Sequence, residues 1–384
     1  MIWRTFRLTI EAFGGLILLF AGLAVIYNYF INYQSRLDGW PPRSAFAAAK
    51  TWSPDTPDRI RILAIDGGAM HGLVSLEILK HLEKTSGRPI AEMFDFVAGT
   101  STGAIIGAML LLPDEDGKPK YTVDDVIKLY SDLSRGIFET PLYHRIFTLK
   151  GVLGPRFLNH GKFVESREEF KGYRFGELLR PMMVPTYSRQ TSGLHLFVNL
   201  REPDANLNLG PLLAAATSVP GMFPGVHLLG HEDFAGIYND AALILNNPAH
   251  RAFEIALRRN PRAELIVVSV GANMAIDVSA EVETSGGIVD WLGPMFIMAS
   301  TGQARLSTTS LETLEDVIGS VVNLKAYRLE VPLHRHGGVF NTSKANIEML
   351  RQTGRDYVAS NPLDLREALK AIAPSGGEQT SGLQ

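Results

Sequence analysis

Residues Phe94 to Leu110 read FDFVAGTSTGAIIGAML, and the order of residue types in this stretch points to the chemistry and the local fold together. Phe94 to Ala98 form a short apolar run of strand type. Gly99-Thr100-Ser101-Thr102-Gly103 follow the spacing G-x-S-x-G, and Ala104 to Leu112 continue as an apolar helix. Glycines on both sides of Ser101 permit the sharp strand-to-helix reversal of a nucleophile elbow, which lifts the hydroxyl off the strand tip. The helix that follows favours negative charge at that point. The five-residue spacing alone is weak, since Gly, Ser and Thr are ordinary turn formers. Between a buried strand and a helix it marks Ser101 as a candidate nucleophile.

The same pattern stands about thirty residues earlier. Arg59 to Ile65 (RIRILAI) is a β-branched run that ends in Asp66-Gly67-Gly68-Ala69-Met70-His71-Gly72. It passes into LVSLEILKHLEK, where Leu73, Leu76, Leu79 and Leu82 keep helical spacing. A glycine turn that opens a helix presents several backbone N–H groups, backed by the helix dipole. Such a turn suits a phosphate, or the transient oxyanion of acyl transfer. The order is G-G-x-x-x-G rather than the G-x-G-x-x-G of a dinucleotide site, so a nucleotide cofactor is not indicated.

An activated serine needs a base. The chain has ten histidines, and none stands in a context that marks it as catalytic. His81 falls in a helical pattern, and His160, His227 and His231 fall in loop-like stretches. His334 and His336, in PLHRHGG, follow every acidic candidate, which keeps a Ser–Asp–His order of α/β-hydrolase type formally open. A carboxylate is the other candidate. In YNDAALILNNPAHRA, Asp240 closes a strand that begins near Phe234, and Asn246-Asn247 ahead of Pro248 start a helix. At a strand end, Asp240 either faces the serine or only orders the turn.

In order, D-G-G-x-x-x-G (Asp66 to Gly72), G-T-S-T-G (Gly99 to Gly103) and an Asp ahead of N-N-P-A (Asp240, with Asn246 to Ala249) resemble the patatin-like phospholipase family. ATSVPGMFP, Ala216 to Pro224, is similar to that family's A-T-S-A-A-P-x-x-F-P stretch. LIVVSVGA, Leu265 to Ala272, resembles its later strand ending in a glycine turn. The resemblance runs from about Arg61 to at least Ala272. It implies an α/β three-layer sandwich, with a central, mostly parallel sheet and helices on both faces. It further implies a dyad of Ser101 and Asp240 without histidine, and an oxyanion hole made by the N–H groups of Gly67, Gly68 and Ala69. The implied reaction is hydrolysis of acyl esters in phospholipids or related lipids, of phospholipase A or lysophospholipase type, through an acyl-enzyme and without metal or cofactor. Three positions depart from the family pattern. Ala69 stands for the third glycine, His71 for an arginine, and Ala241 for the glycine of an Asp-Gly pair. If Ala69 needs a positive φ, the strain costs about 1–2 kcal/mol. These departures leave a lipid-binding protein with little or no turnover as an alternative.

The flanks carry a second message. Phe13 to Phe30 (FGGLILLFAGLAVIYNYF) holds no charged residue, and the uncharged run extends to Tyr33. About 20 apolar residues span a bilayer core. Arg4 and Arg7 precede the run, and Tyr27, Tyr29 and Tyr33 suit an interfacial belt. The run is longer than the core of a signal peptide and lacks small residues after it, and its apolar residues surround the helix rather than forming one stripe. The expectation is one N-terminal transmembrane anchor over 1–33. The basic residues on its two sides nearly balance, with a slight preference for a cytoplasmic catalytic domain. A proline-containing linker follows over 34–58, then the catalytic domain over 59–373, whose last helix starts at Asn361-Pro362, and a Gly/Ser-rich disordered tail over 374–384.

With a net charge of −3, nucleic acid is not an indicated partner; the apolar N-terminal run points to a membrane, and the family resemblance implies an acyl-ester lipid. The chain has no cysteine, which excludes disulfides and thiolate chemistry. Tyr121 to Pro141 reads as a helix with Val126, Leu129, Tyr130 and Leu133 inward. Leu142 to Phe163 mixes aromatic and basic residues with glycines. It suits either a lid touching the membrane or, preferably, an irregular solvated loop. The helical stretch after Gly293 is expected to pack the domain rather than bind anything.

Overall fold

The computed structural model describes residues 2–34, 47–51, 58–228, 236–274, 288–333 and 338–374. Most of the expected linker, nearly all of the expected tail, and His231, His334 and His336 lie outside the described residues. The chain opens with α1 (Ile2–Gln34), then β1 (Arg59–Ile65), α2 (Gly72–Ser86), α3 (Ile90–Met93), β2 (Phe96–Gly99) and α4 (Thr102–Leu110). Next come α5 (Val123–Ile137), α6 (Leu142–Phe147), α7 (Asn159–Phe170), β3 (Met182–Ser188), β4 (Gly193–Val198), α8 (Glu202–Ala205) and α9 (Leu209–Ala216). The remainder is β5 (Val226–Leu228), β6 (Gly236–Asp240), α10 (Ala249–Arg259), β7 (Glu264–Met274), α11 (Ile288–Val322), β8 (Leu324–Leu333), α12 (Lys344–Ser360) and α13 (Pro362–Ile372).

Alternation along β1 decides the layering. Leu63 and Ile65 enter a core shared with α2, α4, α9, α12 and α13, whereas Ile60, Ile62 and Ala64 enter a second core under α10 and α11. A strand buried on both faces has to be covered on both, which gives the expected three layers. The sheet order is β5-β6-β3-β2-β1-β7-β8, with β4 also paired to β3. β3, β2, β1, β7 and β8 run parallel, while β4 and β6 lie antiparallel to β3, and β5 to β6. The chain leaves β1 toward β2 on one side, and β7 fills the other side. The carboxyl ends of β1 and β7 therefore flank a topological switch, where such sheets bind ligands, and the glycine turn after β1 stands at it.

Two expectations change. The strand expected to end in a glycine turn near Ala272 continues to Met274 as β7. The preferred irregular loop over Leu142 to Phe163 is instead α6, a 3₁₀ turn at Leu149–Gly151 and the start of α7. Aromatic residues at helical spacing give that segment an apolar side to pack. α1 contains a helical stretch, Glu11–Phe30, long and apolar enough to cross a bilayer, of which 6% is buried in the protein.

The end of β1 is tied to β8 by a buried ion pair. Arg328 Nη1 and Nη2 donate to Asp66 Oδ1 and Oδ2 at 2.9 and 2.6 Å, and Nη1 also donates to Ser269 Oγ at 2.7 Å. Gly271 on the intervening β7 leaves room for this contact, since a Cβ there would stand 2.2 Å from Asp66 Oδ2. A bidentate guanidinium fixes the carboxylate in both distance and angle. Removing one partner strands a buried charge, so Arg328→Met is expected to lose about 3–5 kcal/mol in denaturant unfolding of the full chain. The double variant Asp66→Asn/Arg328→Met should recover part of that loss. Equal stability of Arg328→Met and the parent would show the pair to be idle.

Candidate active site

Ser101 sits between β2 and α4 with φ 53° and ψ −121°, a backbone conformation that L-residues rarely adopt. The surroundings enforce it. Thr100 N–H donates to Ile65 O at 3.1 Å, Thr100 Oγ1 to Leu245 O at 2.9 Å, and Gly103 N–H to Thr100 O at 2.8 Å. The flanking glycines permit the close approach: a Cβ on Gly99 would lie 2.2 Å from Gly103 O, and one on Gly103 2.2 Å from Ile65 O. G-x-S-x-G is thus a packing requirement as much as a turn signal.

β6 brings Asp240 to the same place from 139 residues further along the chain. Its strand register is set by pairing of Thr186 with Asp240, and its N–H donates to Ser218 O at 3.0 Å. One carboxylate oxygen, Oδ1, accepts from Ala242 N–H at 2.8 Å. The other, Oδ2, is buried and has no hydrogen-bond partner meeting normal geometry among the described residues. Burial pushes the Asp240 carboxyl up to about 6, against the opposing pull of the Ser101 hydroxyl, Ala242 N–H and Lys162. Ala241 is buried without a positive φ, so this turn does not require the glycine of the family pattern.

The turn after β1 faces the serine. Of the three expected oxyanion donors, Gly67 is already committed, because its N–H donates to Asn246 O at 3.1 Å. That bond narrows the set to Gly68 and Ala69, whose N–H groups have no partner among the described residues. Ala69 does adopt a positive φ, 46°. Its strained peptide is held from the carbonyl side, where Tyr130 Oη and Thr102 Oγ1 donate at 2.9 and 3.1 Å. His71 is buried and lines the same pocket.

These groups open on a pocket that includes Gly68, Ala69, Ser101 and Asn246, with Val219, Ala242, Ala272, Phe296, Val339 and Phe340 as apolar wall. Phe296 belongs to α11, so the helix expected only to pack the domain also furnishes the wall. A pocket with a few polar groups at one end and apolar sides matches an acyl ester in chemistry. No group of three or more His, Cys, Asp or Glu placed to hold a metal occurs among the described residues.

Two residues escaped sequence reasoning. Arg328 was hidden because nothing local links it to Asp66. Lys162 on α7 is buried, and its Nζ donates to Ser218 Oγ at 2.7 Å and Ala214 O at 3.1 Å and lies 4.0 Å from the Phe223 ring centre. Burial pushes its ammonium well below the ordinary lysine range, against the pull of Asp240. The NNPA stretch proves structural: Asn246 O holds Gly67, and Asn247 Oδ1 accepts from Ala249 N–H at 2.9 Å at the start of α10. His81 and His227 lie on α2 and β5, and His160 lies at the start of α7.

A family model described as patatin-like phospholipase matches residues 63–253, a stretch that contains Asp66 to Ala69, Ser101 and Asp240. Patatin-like protein 2 of Oryza sativa subsp. indica is 25% identical over 354 residues, 82% of this chain and 87% of its own. Patatin-like protein 1 of Arabidopsis thaliana is 25% identical over 364 residues, 82% and 85% of the two chains. A probable inactive patatin-like protein 9 of Arabidopsis thaliana is 28% identical over 240 residues, 56% and 61% of the two chains. Among solved structures, VipD from Legionella pneumophila superposes with a TM-score of 0.36 at 13% identity, over 85% of this chain and 70% of that one.

The raised Asp240 carboxyl has a consequence for stability. Held at about 6 against an ordinary 3.8, the folded state binds this proton more tightly than the unfolded chain. The stabilisation is complete below about 4 and is lost as pH rises through about 6, so the ionised group costs up to about 3 kcal/mol. Asp240→Asn is therefore expected to be more stable than the parent by about 1–3 kcal/mol at pH 8, with the gap closing toward pH 4. Denaturant unfolding at the two pH values checks it. A less stable Asp240→Asn at pH 8 would show the carboxylate to be well solvated or well paired.

Proposed function

We propose that this chain, which belongs to the patatin-like phospholipase family, is a membrane-anchored serine hydrolase that cleaves acyl esters of lipids with Ser101 and Asp240. One observation supports this above the others: a strained serine hydroxyl stands beside a buried carboxylate with an open Oδ2, under two N–H groups without partners among the described residues.

In the first step Ser101 Oγ attacks the ester carbonyl while Asp240 Oδ2 takes the hydroxyl proton. The oxyanion forms toward Gly68 and Ala69 N–H, each such donor contributing about 3 kcal/mol in comparable sites. Collapse expels the alcohol portion, which recovers the proton from Asp240, and leaves Ser101 acylated. Asp240 then takes a proton from a water whose oxygen attacks the acyl carbon, and returns it to Ser101 Oγ as the acyl–Oγ bond breaks and the fatty acid leaves. The apolar wall from Val219 to Phe340 takes the acyl chain, and α1 keeps the domain at the surface where such esters are concentrated.

A carboxyl near 6 is a serviceable base at neutral pH. Activity should rise as pH increases through about 6 and level off above it. Lys162→Met removes the ammonium that favours the ionised Asp240, so the rising limb should move to higher pH. A limb that stays in place would remove Lys162 from the electrostatics of the dyad.

The deciding test is labelling of the detergent-solubilised full chain with a fluorophosphonate, with the modified residue located by mass spectrometry. Label on Ser101 is expected, absent from Ser101→Ala, strongly reduced in Asp240→Asn and kept in His334→Ala/His336→Ala. Loss of label in the histidine variant would favour a triad. No label on a folded parent protein would favour a lipid-binding role without turnover.

A further inference from the structure

We infer that Leu142 to Leu153 is a membrane-embedded wedge, seated beside α1 in the leaflet on the domain side, through which a bilayer-resident acyl lipid reaches Ser101; the last clause rests on the proposed hydrolase activity. The segment carries six large apolar side chains that the protein does not cover: Leu142, Tyr143, Ile146, Leu149, Val152 and Leu153. Leu142 and Val152 are the extremes, at 70% and 80% exposed. An apolar surface of this size is unusual on a domain that faces only water.

Its place beside α1 names the occupant. Tyr27 Oη and His144 Nδ1 are 3.0 Å apart, the Phe20 and Phe147 rings stack at 6.1 Å, and Tyr27 lies 5.0 Å from Phe147. Among the described residues, Phe20, Ala24, Tyr27 and Asn28 form a stripe of α1 that meets the domain, whereas Leu16, Leu18, Val25 and Tyr29 around the rest of the helix are exposed. A helix apolar on all its remaining sides over 20 residues is covered by hydrocarbon more readily than by any single protein partner. The wedge continues that surface. From Phe20 to Tyr27 it follows α1 for about 10 Å of axis, within the depth of one leaflet, about 15 Å. From Thr140 to Val164 there is no acidic residue, while Arg145, Lys150 and Arg156 supply positive charge. That pattern fits phosphate-bearing headgroups above an apolar insertion.

The wedge also leads inward. Arg156 and Phe157 N–H donate to Gly221 and Met222 O at 3.1 and 2.8 Å. Phe157 then packs edge-on or tilted against Phe138, Phe223 and Phe340 at 5.2–5.4 Å, and Phe340 is part of the pocket wall around Ser101. A cluster of packed aromatic rings therefore lies between the wedge and the wall around Ser101.

The chain has no cysteine, so single cysteines report position directly. Leu142→Cys, Val152→Cys and, on the exposed turn after α4, Asp116→Cys would each carry an NBD label in the full chain, reconstituted in phosphatidylcholine–phosphatidylglycerol vesicles. Labels at 142 and 152 are expected to be quenched several-fold more by doxyl-labelled lipid than by aqueous iodide, and the label at 116 to behave in the opposite way. Iodide quenching at all three positions would overturn the inference. So would labels at 142 and 152 shielded from both quenchers, which would mean that protein covers the face. Quenching needs no turnover, so repeating it on the Ser101→Ala background separates failure of the wedge from failure of the hydrolase assignment.

Discussion

Taking a carboxylate out of water is costly unless its charge is compensated, and two buried aspartates at the carboxyl edge of the sheet meet that constraint in opposite ways. Asp66 receives a bidentate guanidinium from Arg328 and becomes scaffold. Asp240 receives one backbone N–H on Oδ1 and a partial counter-charge from Lys162, and its proton affinity stays raised. The first pair holds the turn that follows β1. The incomplete satisfaction of the second leaves a group whose proton affinity suits neutral pH. The two aspartates differ in how completely each charge is met.

The same edge carries backbone strain at two non-glycine positions, Ser101 at φ 53° and Ala69 at φ 46°. Strain of this kind costs of order 1–3 kcal/mol per residue and persists only where neighbours over-determine it. At Ser101 the neighbours are the Thr100 bonds and the contact of Gly103 with Ile65. At Ala69 they are Tyr130 and Thr102 on the carbonyl. A residue expected from sequence to weaken the oxyanion turn is therefore anchored from behind. With Gly67 donating to Asn246, the N–H groups of Gly68 and Ala69 are those of the turn left without partners among the described residues. One relative is named as probably inactive, so presence of the motifs and presence of turnover are separate questions.

α7 links the two halves of the molecule. Its Lys162 reaches Ser218, whose carbonyl accepts from Asp240 N–H, and the segment ahead of it runs back to α6 and α1. A single stretch of chain thus joins the apolar surface beside the N-terminal helix to the strand end that carries Asp240. The expectation of a loose solvated loop failed here because aromatic and basic residues mixed with glycine look irregular in sequence, while their pairing with Phe20 and Tyr27 is more than a hundred residues away.

Much was determined by the sequence alone. Apolar runs ending at Asp66 and Ser101, followed by helical spacing, specified two strand–turn–helix units, because turn chemistry and periodicity are local properties. The order of the glycine, serine and aspartate motifs indicated the family and singled out Ser101 and Asp240, and eighteen uncharged residues from Phe13 to Phe30 marked a helix apart from the domain. Only the tertiary structure decided which donors in the β1 turn stay unengaged, that Arg328 answers Asp66 from 262 residues away, that Lys162 stands near Asp240, and that α11 lends Phe296 to the pocket. Those facts depend on burial and on partners remote in sequence. Desolvation and hydrogen-bond satisfaction are set by what surrounds a group in space, and no local pattern encodes that.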